Sequence, residues 1–164
     1  MLKCDCTDLG GYDFDASLYR YFDKKYRFGA YLEGQNENRR QSIMNEIRSK
    51  IEQVKINFSM DGIDDQDLVI DSLDDFEEVV YYSDFEKAIA GEVKKFREFI
   101  NGFLKDCPSD WPRPSRCEIV GGAMHTKVIK EELLASLKKV NEGIISFVVL
   151  SAVVLYSTQR LVRR

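Results

Sequence analysis

The sequence predicts an α/β chain in which amphipathic helices accompany an antiparallel hairpin and a strand that feeds a helix through paired glycines. Three observations point to it. Between Arg39 and Ser59, the residues Ile43, Ile47, Ile51, Val54 and Phe58 step by four, four, three and four positions, which places them on one stripe of a helix. The segments "DLVIDSL" and "VVYYS", on either side of the acidic "DDFEE", read as two strands and their turn. The stretch "CEIVGGAMHTKVIKEELLASL", residues 117–137, passes from an apolar run through Gly121 and Gly122 into helical periodicity.

The first elements are less regular. Gly10 and Gly11 in "LKCDCTDLGGYDFD" read as a turn after a short strand. From Ala16 to Phe28 the positions Leu18, Tyr21, Phe22 and Tyr26 recur at helical spacing, and the polar "AYLEGQNENRR" reads as a loop. In the helix over 39–59, a polar stripe of Arg48, Glu52, Lys55 and Ser59 runs beside the apolar one. That stripe either faces solvent or lines a cleft. The hairpin that follows should pack on this helix.

Asp84 is placed to cap the next helix, whose stripe is Phe85, Ile89, Val93, Phe96, Ile100 and Leu104. Three prolines in "KDCPSDWPRPS" exclude helix and mark a loop. After the Gly121–Gly122 turn, a helix with Thr126 near its start buries Ile129, Leu133, Leu134 and Leu137. The 13 residues from Ile144 to Tyr156 are nearly all apolar and precede Arg160, Arg163 and Arg164. A bilayer span needs about 20 residues, so the expectation is a helix buried in the core, with a membrane tail anchor through residues 144–156 as the alternative.

Composition narrows the function classes. With 164 residues, 44% hydrophobic and 32% charged, and a formal net charge of -4, the chain is neither disordered nor a general nucleic-acid binder. Four cysteines, Cys4, Cys6, Cys107 and Cys117, fit no zinc framework, and the N-terminus has no secretory signal, so reduced thiols in a cytoplasmic protein are expected. The Cys4-x-Cys6 pair is either incidental or a holder of a soft metal. Asp64, Asp65, Asp74 and Asp75 read as surface turn residues, without the spacing of a calcium loop. His125, the single histidine, reads as a surface or capping residue rather than a catalytic base.

Order adds information that no single motif holds. "LGGYDFD", the Glu52-x-x-Lys55-x-x-x-Ser59 helix, "IDSL", "SDFEKAI" and "EIVGGA" follow one another as in the second lobe of the heat-shock protein 70 family ATPase domain. The chain resembles that lobe over nearly its whole length, and "EIVGGA" is especially similar to the larger heat-shock 110 branch. The resemblance implies an actin-like ATPase (ribonuclease H-like) fold, lobe II. It places an outer subdomain at approximately 11–90 and an inner one at 1–10 and 91–164. It implies an adenine nucleotide, ATP or ADP, with magnesium in the family. By position, Gly10 and Gly11 fall on the phosphate and ribose side, Glu52, Lys55 and Ser59 at the ribose and adenine, and Gly121, Gly122 and Ala123 on a segment whose backbone approaches the nucleoside.

Departures from the family pattern lower the expected affinity. Two arginines that sandwich the adenine fall on Ile56 and His125, which removes cationic stacking at one position and weakens it at the other. Ala123 lacks the hydroxyl of the family serine. The family's first lobe, with its phosphate loop and catalytic lysine, and its peptide-binding domain have no counterpart in these residues, so no autonomous hydrolysis is expected. The alternative expectation is a non-enzymatic interaction module that docks on chaperones, co-chaperones or nucleotide-exchange factors, since exchange factors grip the outer subdomain in the family.

Overall fold

A computed structural model describes residues 9–60, 62–74, 76–105, 116–120, 126–140 and 146–150, with 116–120, 139–140 and 146–150 described by their backbone alone. The chain divides into two units, Gly10–Glu92 and Met1–Leu9 with Val93–Arg164.

The Gly10–Glu92 unit opens with α1 (Gly11–Tyr26) and α2 (Phe28–Leu32). Helix begins well before Ala16, because the Asp13 carboxylate accepts the Gly10 N–H at 2.7 Å and the Asp13 N–H donates to the Gly10 carbonyl at 3.1 Å. These bonds satisfy the helix mouth, so Gly10 and Gly11 start a helix rather than form a turn. The strand expected before them lies outside the described residues. α1 ends at Arg27, which takes the left-handed conformation (φ 57°) usually left to glycine and donates its N–H to the Asp23 carbonyl at 2.7 Å. The turn aims Phe28 inward. Phe28 and Leu32, one helical turn apart and both buried, make α2 of a segment whose polar neighbours suggest loop.

α3 (Glu37–Phe58) starts at an Asn36 cap whose side chain accepts the Arg39 N–H at 2.9 Å, so "ENRR" is helical. Its predicted stripe from Ile43 to Phe58 is buried, with no member more than 2% exposed. β1 (Asp65–Ile70) and β2 (Phe76–Tyr81) pair antiparallel from Asp65↔Tyr81 to Ile70↔Phe76. The hairpin rests on α3, as expected: Gln66 donates to the Val54 carbonyl at 3.0 Å, and Glu46 accepts the Asp71 N–H at 2.7 Å and the Ser72 N–H at 3.2 Å. Its boundaries differ from the sequence reading. Asp65 is a strand residue, "DSL" belongs to the turn, Phe76 opens β2 with its ring in the core, and Tyr82 and Ser83 already belong to α4 (Tyr82–Lys105).

Asp84 is not a cap. It lies inside the first turn of α4, buried, and accepts from Tyr21 Oη at 2.9 Å, Lys25 Nζ at 2.8 Å and Lys87 Nζ at 3.4 Å. It fastens α4 to α1.

The second unit contains the rest of α4, β3 (Arg116–Val120), α5 (Lys127–Val140) and β4 (Ser146–Leu150). β3 and β4 pair in parallel from Arg116↔Ser146 to Val120↔Leu150, with α5 as the crossover that parallel strands require. Residues 146–150 are therefore a strand and not the expected core helix. A continuous apolar run rich in Val is also how a parallel strand reads, and periodicity cannot separate the two. No helix among the described residues is long and apolar enough to cross a membrane; residues 151–156 lie outside them. Thr126 precedes α5, and its carbonyl accepts the Ile129 and Lys130 N–H groups at 3.0 and 3.1 Å. The Arg97 guanidinium, on α4, donates to Glu132 of α5 at 2.6 Å through Nε.

Candidate functional site

α1 and α3 pack with their buried stripes inward, which leaves a groove between their outward flanks. This groove is a cleft of about 500 Å³ in the Gly10–Glu92 unit, within the roughly 300–1,000 Å³ of small-molecule sites. From α1 come Tyr12, Asp15, Tyr19 and Arg20; from α3 come Asn45, Arg48, Ser49 and Glu52. Each set recurs at three- and four-residue intervals, the spacing that puts side chains on one helical face.

The charges in the cleft are not equivalent. Asp15 accepts from Lys55 Nζ, whose side chain is only 13% exposed, so this pair joins α1 to α3 beside the cleft and cancels the Asp15 charge. Arg20 donates to Ser17 Oγ at 2.8 Å and lies 3.9 Å from the buried Glu92 carboxylate. Arg48 and Glu52, one turn apart on α3, make no hydrogen bond or ion pair among the described residues. Burial pushes the Tyr19 phenol above its ordinary value, Asp23 adds to the rise and Arg48 opposes it. Tyr19 thus stays neutral, and its hydroxyl lies 3.4 Å from Met44 Sδ.

The predicted nucleotide-site residues divide into four groups. Glu52 lines the cleft with its carboxylate uncommitted. Lys55 is engaged by Asp15, and Ser59 Oγ donates to the Lys55 carbonyl at 2.9 Å; neither lines the cleft. Gly10 and Gly11 stand at the mouth of α1, and a Cβ added to Gly10 would meet nothing within 4 Å, so steric room does not require glycine at position 10. Gly121, Gly122, Ala123 and His125 lie outside the described residues. Ile56 is 43% exposed. Of the polar stripe, Arg48 and Glu52 line the cleft while remaining exposed to solvent.

The α1 wall is not evident from the periodicity over Ala16–Phe28, because Tyr12 and Asp15 precede it. Extended to Gly11, the spacing of Tyr12, Asp15 and Tyr19 gives the face directly.

Residues 3–145 match the profile of the family described as Hsp70 protein. The chain belongs to the Hsp70 family. Comparison with curated proteins gives no significant match. Membership brings a chaperone ATPase ancestry and an actin-like ATPase fold, of which the described helices and strands are a mixed α/β portion. Hsp70 proteins bind ATP and ADP with magnesium and work with co-chaperones. In the cleft, the Glu52 carboxylate suits a ribose diol, which it can accept through two hydrogen bonds. Among the described residues no three His, Cys, Asp or Glu side chains cluster as metal ligands.

Proposed function

We propose that this chain is the second lobe of an Hsp70-type ATPase domain, cytoplasmic, and that it holds an adenine nucleotide weakly, without hydrolysing it alone. The observation that supports it is Glu52. A residue assigned to the ribose by family position also lines the cleft between α1 and α3, with its carboxylate free. Reduced affinity follows from Ile56, which offers an adenine ring an aliphatic surface but no guanidinium. It also follows from Lys55, which must leave Asp15 to reach a ligand.

A second reading rests on the hairpin. The outward face of β1 and β2 exposes Val69, Val79 and Tyr81 beside Asp65, Asp67 and Glu77, an apolar and acidic surface suited to docking a basic partner such as an exchange factor. Thermal unfolding with and without millimolar ADP separates the two. Because a ligand selective for the folded state stabilises it by mass action, the nucleotide reading predicts a raised midpoint in the parent and none in Glu52→Ala. An unmoved parent midpoint, together with co-purification of an exchange factor, would favour the docking module.

A further inference from the structure

On the polar stripe of α3, Lys55 is claimed by another helix. Its ammonium donates to the Asp15 carboxylate of α1, 40 positions earlier, and the two side chains are 13% and 31% exposed. Asp15 lines the cleft, so the contact stands at the cleft edge. α1 and α3 do not need it in order to pack, because each already contributes a buried stripe, Phe14, Leu18 and Phe22 on α1 and Ile43, Ile47 and Ile51 on α3. Glu52, three residues before Lys55, lines the cleft without an ion pair among the described residues. Side chains at this spacing share a helical face. Lys55 thus passes over an uncommitted carboxylate on its own helix and is held by α1 instead.

We propose that the Asp15–Lys55 ion pair is an autoinhibitory contact, in which Asp15 competes with a bound nucleoside for the Lys55 ammonium. This role rests on the nucleotide reading and adds a regulation of the same site. Ligand hydroxyls accept from Lys55 only once its contact with Asp15 is broken. The apparent affinity is then the affinity of the released state reduced by the fraction of molecules in which Lys55 is released. A pair this sheltered from solvent keeps that fraction small. Opening the pair also uncovers the negative charge of Asp15, which repels an anionic ligand. Removing Asp15 therefore has two separable consequences. Release of Lys55 strengthens binding of neutral and charged nucleosides alike, whereas loss of the repelling charge strengthens only the charged one.

The test is calorimetric titration of the 164-residue chain, of Asp15→Ala, of Lys55→Met and of the double variant with adenosine and, separately, with ADP at low ionic strength. Circular dichroism checks that each is folded, and Asp15→Asn, which keeps the volume, gives the same sign should Ala weaken the fold. The expected result is about fivefold tighter binding of both adenosine and ADP in Asp15→Ala, the scale of releasing one partly exposed ion pair. No gain should follow when Asp15→Ala is added to Lys55→Met. The unfolding midpoint of Asp15→Ala should fall by about 2–6 °C, because the pair also joins α1 to α3. A contact that only supported the fold would lower midpoint and affinity together. Unchanged or weaker adenosine binding in folded Asp15→Ala overturns the autoinhibitory role and leaves the nucleotide reading intact. So does a gain confined to ADP, or one that persists in the Lys55→Met background. Four folded proteins that bind neither ligand overturn both.

Discussion

Replacing Phe76 by Ala is expected to lower the unfolding free energy of the Gly10–Glu92 unit by about 3–5 kcal/mol, the range for removing a large buried aromatic. Phe76 is the point at which β2 meets two other elements, α1 and α2. Its ring centroid lies 5.5 Å from Tyr26 and 5.5 Å from Phe28, and 6.1 Å from Tyr31, so the end of α1, two residues of α2 and the start of β2 share one aromatic cluster. Truncation leaves a void lined by rings that cannot all collapse into it, and each loses a partner in an edge or tilted arrangement. Urea unfolding followed by circular dichroism measures the change. Glu77→Ala, on the exposed side of the same strand, should stay within about 0.5 kcal/mol. A loss below about 1 kcal/mol for Phe76→Ala would instead match a turn residue and contradict the packing.

The second large effect belongs to Asp84. Asp84→Asn should cost about 2–3 kcal/mol at neutral pH, since it removes an ionised acceptor shared by Lys25, Tyr21 and Lys87 while preserving volume. The figure is kept below that of a fully buried pair because the Lys25 side chain is 37% exposed and stays partly hydrated when orphaned. The Lys25 hydrogen bond holds the Asp84 carboxyl below the usual carboxylate range, burial opposes this and the Tyr21 hydroxyl assists. Burial pulls Lys25 down, but its bonds to Asp84 and Tyr26 outweigh that and the net shift is upward. Because the folded pKa of Asp84 is depressed, its contribution is complete above the unfolded value near pH 4 and drains as pH falls through the lower folded value. The stability gap between parent and Asp84→Asn should therefore be constant from about pH 5 to 8 and close in stronger acid. A gap that stays open at pH 2 would show that the carboxylate charge is not what joins α1 to α4.

These two residues also show where sequence reading stops. The stripes of α3 and α4 were legible because an apolar repeat of three and four residues has one physical meaning when it runs for five turns. Phe76 sits alone among Asp74, Asp75, Glu77 and Glu78, and a single apolar residue in an acidic run has no period. Only the register Ile70↔Phe76 turns it inward. Asp84 has the composition of a cap, and nothing local says that Tyr21 and Lys25, some sixty positions earlier, supply its partners. The apolar run at 146–150 failed for the opposite reason. It was visible, but a buried parallel strand and a buried helix share that pattern.

The site was legible in part for similar reasons. Arg48 and Glu52 fell on a stripe that spacing alone exposes, and family order singled out Glu52, Lys55 and Ser59. That Lys55 is tied to Asp15 and Ser59 to the helix backbone depends on which helix packs beside α3, and no one-dimensional pattern contains that information.

The central claim, that the cleft between α1 and α3 retains the ribose-binding part of an adenine-nucleotide site, is tested most directly by isothermal titration of the 164-residue chain with ADP, beside Glu52→Ala. Glu52 is exposed, so its loss should leave the fold unchanged. The account predicts saturable, weak binding to the parent, in the micromolar to millimolar range of about -8 to -4 kcal/mol, and a loss of at least tenfold in the variant. Equal affinity in the two folded proteins, or no heat from the parent at millimolar ADP, would contradict it.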